Sequence, residues 1–76
     1  MKGGDNMQIE NMPDILTAQN IADYLGISRR RVYELFQMKP EHGGIPNFDI
    51  GLTKRVRKQD FVEWIDQRVR AKSEVV

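Results

Sequence analysis

A chain of 76 residues, 39% of them hydrophobic, can close one modest core, so a single domain is expected. The absence of cysteine excludes disulfide staples and cysteine zinc sites, and no apolar run approaches the roughly 20 residues of a membrane span. The net charge of +1 says little by itself, but the charges are unevenly distributed along the chain. Residues 1–12 include Gly3, Gly4, Asp5 and Asn6 without periodicity and are expected to form a flexible N-terminal tail. The start MKGGDN does not resemble a secretory signal, so a soluble protein of the reducing cytoplasm is expected.

The domain is expected over residues 13–70. Pro13 and Asp14 lead into Ile15 and Leu16, a short apolar stretch that should pack beside the first helix. Thr17 is a good N-cap, and Ala18, Ile21, Ala22 and Leu25 follow at helical spacing. Gly26 should end that helix with a positive φ, and Ala22 is small enough for a close helix crossing. Ser28 can cap a second helix from about Arg29 to Met38, whose inner face is Val32, Leu35 and Phe36. This spacing is that of a helix-turn-helix, in which the second helix lies in a DNA major groove.

Pro40 stops the second helix, and EHGGIP forms an irregular connection. Alternation at Phe48, Ile50 and Val56 predicts a β-hairpin. Pairing Phe48 with Val56 on one face requires an odd-length loop centred on Leu52, with Leu52, Thr53 and Lys54 near the tip. A third helix is predicted over residues 59–70. Its apolar stripe is Phe61, Ile65 and Val69, widened by Val62 and Trp64. Asp60 and Glu63 suit its start, and Arg68 and Arg70 its end, by the helix dipole. Residues 71–76 are expected to be a C-terminal tail. The fold class is therefore α+β, a small winged helix-turn-helix of helix, helix, hairpin wing and helix.

Two basic clusters stand out. Arg29, Arg30, Arg31 and Lys39 lie in and after the second helix, opposed by Glu34, and Lys54, Arg55, Arg57 and Lys58 form an acid-free run. Such segregation places a basic face on a nearly neutral molecule. On the second helix, 100° per residue directs Arg30, Tyr33, Glu34 and Gln37 outward, with Arg29 and Arg31 at the flanks. Arginines there can fork onto guanine or clamp phosphate, and Gln37 can read adenine. Ser28 can offer a hydroxyl or backbone N–H to a phosphate. Tyr33 suits either a phosphate contact or the core edge. A basic hairpin carrying Lys54, Arg55 and Arg57 can follow the backbone or enter a minor groove. Trp64 is expected in the core and His42 in solvent. No catalytic set, cofactor site or metal site can be assembled, so no enzyme activity is expected.

The segments LTAQNIADYLGISRRRVYELFQ and GIPNFDIGLTKRVRKQDFVEWI resemble the excisionase-type DNA-binding domains, of the winged helix-turn-helix group with MerR-like topology. The resemblance covers about residues 15–66, and YLGISRRRVYEL carries most of it. In this chain the EHGGIP link to the wing is longer and more glycine-rich than usual. The resemblance implies a recombination directionality factor of a phage or other mobile element. Such a factor binds double-stranded DNA near an attachment site, bends it and directs a tyrosine-type integrase toward excision. It implies Ser28, Arg29, Arg30, Arg31, Tyr33 and Gln37 as recognition-helix contacts, and Thr53, Lys54, Arg55 and Arg57 as the wing. A small transcriptional regulator of mobile-element genes is the alternative use of the same surface. A module that only binds protein fits the two basic clusters less well. No heptad or long apolar stripe argues for a stable dimer, so a monomer that cooperates on DNA is expected.

Overall fold

Thr17 opens the first helix as expected, and more firmly than one cap would. In the computed structural model, which describes the backbone of residues 8–74 and side chains to 72, its hydroxyl accepts from the Asn20 N–H at 3.0 Å. The Asn20 side chain accepts from the Thr17 N–H at 2.9 Å in return, closing a reciprocal capping box. The helix, α1 (Ala18–Leu25), ends at Gly26, whose φ of 73° is the left-handed value anticipated. Ser28 then caps α2 (Arg29–Gln37) by accepting from the Arg31 N–H at 3.1 Å. The tight turn is held by two N–H groups, of Gly26 and Ile27, both donating to the Ala22 carbonyl.

The strands form one antiparallel sheet in the order β1-β3-β2, with β1 at Ile15–Leu16, β2 at Phe48–Ile50 and β3 at Thr53–Arg57. Ile15 and Leu16 were expected to lie beside the first helix. They instead pair with Arg57 and Val56, making a third strand. α3 (Lys58–Glu74) starts directly from β3, and the Lys58 N–H donates to the Asp14 carbonyl at 2.8 Å, tying the junction to β1.

Leu16, Ile21, Val32, Ile45, Val56 and Phe61 are fully buried, so every element but β2 contributes to one core, and so does the loop before β2. Each such side chain contributes about 1.5–3 kcal/mol of transfer free energy. Ala22 is buried in the core, and Leu25, Leu35 and Ile65 pack at its margin. Trp64 is core, as expected, and its indole N–H donates to the Gly43 carbonyl at 3.0 Å.

Several expectations are corrected. The hairpin pairs Phe48 with Arg55, Asp49 with Lys54 and Ile50 with Thr53, leaving a two-residue turn at Gly51 and Leu52. Gly51 has a φ of 61° while Leu52 does not have a positive φ, the pattern of a type II′ turn whose twist matches that of the strands. The expected partner of Phe48 was Val56; a shift of one residue moves Phe48 to the opposite face. At the N-terminal side, Ile9–Asn11 form a 3-10 turn and Met12 is buried in the core, so the fold begins before residue 13. The rest of the expected tail, residues 1–7, lies outside the described residues.

α3 continues through Glu74, so most of the expected C-terminal tail is helical, and residues 75–76 lie outside the described residues. Arg68 and Arg70 consequently sit within the helix, where Arg68 covers Trp64 at 5.0 Å and Arg70 faces Asp66 at 3.8 Å. The buried face of α3 is Phe61 and Trp64 with Ile65 beside them. Val62 and Val69, expected in the stripe, are exposed. α2 is one residue shorter than expected, ending at Gln37.

Candidate nucleic-acid interface

α2 buries Val32 and Phe36 and thereby turns Arg29, Arg30, Arg31, Tyr33, Glu34 and Gln37 to solvent. All six are exposed. Arg29 and Arg30 have no acidic partner among the described residues, whereas Arg31 is paired with Glu34 one turn on, at 3.1 Å. Tyr33 lies 45% exposed and packs edge-to-face on Phe36, with ring centroids 5.9 Å apart, so its ring borders the core from outside. Ser28 is exposed at the start of the helix, with its hydroxyl oxygen engaged by the Arg31 N–H. The free N–H groups of this first turn and the positive end of the helix dipole favour an anion there.

The far end of α2 is joined to the hairpin by contacts that the sequence did not reveal. After the 3-10 turn Pro40–His42, Gly43 takes a φ of 97° and its carbonyl receives both Trp64 and Arg68, the latter at 3.2 Å. The Ile45 N–H then donates to the Leu35 carbonyl at 3.1 Å. Asn47 donates from Nδ2 to the Phe36 carbonyl at 3.1 Å and to the Ile45 carbonyl at 2.7 Å. The bonds to Leu35 and Phe36 satisfy carbonyls that the end of a helix leaves without intrahelical partners. Gly44 makes the close approach feasible, since a Cβ on it would collide with the Met38 carbonyl. An apolar residue between turn formers, Ile45 in GGIPN, was the available sign that this loop folds inward. His42 is exposed, as expected.

On the hairpin, the expected wing residues are differently engaged. Thr53 donates its hydroxyl to the Ile50 carbonyl at 2.7 Å and closes the turn. Lys54 is paired across the strands with Asp49 at 2.9 Å. Arg55 is half-buried and donates to the Lys54 carbonyl at 3.0 Å. Arg57 grips Asp60 with two bonds, from Nε at 2.9 Å and Nη2 at 3.1 Å. These hydrogen bonds, and then the charge of Asp60, raise the Arg57 pKa, so its guanidinium stays charged. The same pair joins the end of β3 to the first turn of α3. Arg57 thus has a structural task as well as an exposed side chain.

Among the described residues no group of His, Asp and Glu side chains is arranged to hold a metal, and no helix is long and apolar enough to cross a membrane. What the structure does present is a capped helix pair with a tight turn, followed by a hairpin bonded to the end of the second helix. That is the arrangement of a winged helix-turn-helix domain. The sequence places it in a family: residues 15–69 match the helix-turn-helix domain family, and the chain belongs to it. Binding of double-stranded DNA is the activity that this membership indicates. No curated protein and no solved structure gives a significant match.

Proposed function

We propose that the protein is an excisionase-type, sequence-specific DNA-binding factor of a mobile element. It binds double-stranded DNA near attachment sites, bends it, and directs a tyrosine-type integrase toward excision. The observation that carries the DNA-binding part is the outward face of α2. Arg29 and Arg30 there are exposed and without acidic partners among the described residues, beside the N-terminus capped by Ser28. α2 enters the major groove, with Arg30 and Gln37 at base edges and Ser28, Arg29, Arg31 and Tyr33 toward the backbone. The hairpin, with Thr53, Lys54, Arg55 and Arg57, reaches the adjacent backbone or minor groove. The likeness of YLGISRRRVYEL and the wing segment to excisionases supports the recombination role. The protein acts without catalysis of its own, as a monomer that cooperates with copies on neighbouring sites.

A footprint on DNA from the element that encodes the chain tests this reading. Protected direct repeats beside an attachment site are expected, with excision by the integrase dependent on the protein. One protected site over a promoter, with excision unaffected, would replace this role by that of a transcriptional regulator. Absence of protection at low salt would remove DNA binding itself.

A further inference from the structure

The turn of the hairpin carries a side chain that turn chemistry does not call for. A type II′ turn needs glycine at its first central position, supplied by Gly51, and tolerates small polar residues at its second. That second position is Leu52, whose exposure is 104% of the reference value, so its side chain contacts almost nothing in the protein. Register and alternation add to this. Because Val56 is buried on the inner face, Phe48, Ile50 and Ile15 lie on the outer face with Arg55 and Arg57. Ile15, Phe48 and Ile50 are exposed, and on β2 the exposure rises toward the turn, ending at Leu52.

The tip is also held in place. Thr53 bonds back to Ile50, Lys54 pairs with Asp49 on the inner face, and Asn47 anchors the base of β2 to α2. A leucine on a braced turn holds its position when pressed against a partner.

We propose that Leu52 is an apolar wedge that enters the DNA minor groove at a base step and bends the duplex, with Ile50 following it against the groove wall. The inference rests on the DNA-binding reading above and supplies the physical origin of the bend. The chemistry favours DNA over a protein partner because the outer face behind the apolar tip carries Arg55 and Arg57 and no acidic strand residue. Apolar groove walls bordered by phosphates complement that order of side chains. Wedges of this kind unstack a step and kink the duplex toward the major groove, by about 20–90°.

The test uses the full chain and a short duplex that it selects from a random-sequence pool, labelled with dyes at both ends. The wild-type protein should shorten the end-to-end distance, and 2-aminopurine under the hairpin should brighten as it unstacks. Leu52→Ser suits the turn and should keep the circular dichroism spectrum and melting curve. It should bind the same site about tenfold more weakly and leave the duplex straight. A Leu52→Ser complex bent like the wild type would overturn the wedge while leaving DNA binding intact. If Leu52→Ser instead abolishes self-association of the free protein and spares the bend, a second copy covers the tip and the wedge is refuted. Failure of the wild type to select any duplex would defeat the DNA-binding reading, and the wedge with it.

Discussion

On α2, Arg29 and Arg30 extend into solvent with no acidic partner among the described residues, whereas on the hairpin Lys54 is held by Asp49 and Arg57 by Asp60. The two basic segments look alike in sequence, each with at least three cations within four residues. In the fold they differ. A cation already paired must exchange a carboxylate for a phosphate, so its net gain on binding is small, and exposed pairs of this kind are worth little in either state. An unpaired arginine needs no such exchange. In the DNA-binding reading proposed above, α2 is therefore expected to be the stronger source of affinity and base reading, and the hairpin to contribute more through shape and position than through charge.

The joint between the two regions is the most sensitive place to break the comparison. Gly44→Ala drives a Cβ into the Met38 carbonyl and within 3.0 Å of the Leu35 carbonyl, both rigid backbone. It should cost about 3 kcal/mol of stability and lower Tm by roughly 12–24 °C. A variant melting with the wild type would show that the loop does not approach α2 this closely in solution.

Arg30→Ala tests the helix side of the contrast. It should weaken binding to the preferred duplex by about 1–3 kcal/mol and relax the preference at one position, measured by competition among single-base variants. An equal loss on every sequence would move Arg30 from a base edge to a phosphate.

The smallest effect is expected on the hairpin. Lys54→Ala should lower affinity slightly and uniformly, and flatten the slope of log K against log salt by less than about 0.9, the value for one fully released phosphate contact. A full unit of slope would mean that Lys54 leaves Asp49 on DNA, and the contrast between the two regions would then fail at this residue.

What could be read in advance follows from the range of each interaction. The caps at Thr17 and Ser28, the left-handed Gly26 and the inward residues Ile21, Val32 and Phe36 depend on neighbours within one or two helical turns. Sequence spacing records these directly. The exposed positions of Ser28, Arg29, Arg30, Arg31, Tyr33 and Gln37 follow from the same periodicity. Only tertiary structure decided the pairing of Ile15 and Leu16 with β3, the burial of Met12 and Ile45, the bonds from Asn47 to α2, and the acidic partners of Lys54 and Arg57. The hairpin register lies between the two. Its existence was evident from alternation, but choosing a two-residue turn over an odd-length loop depended on placing Val56 opposite Leu16 in the core. That strand pair lies 40 positions apart in the chain, from residue 16 to residue 56, and no local pattern encodes it. Periodicity therefore determined which side chains face outward on α2. The packed core determined how the hairpin is held against that helix, because contacts between distant residues form only once the chain has folded.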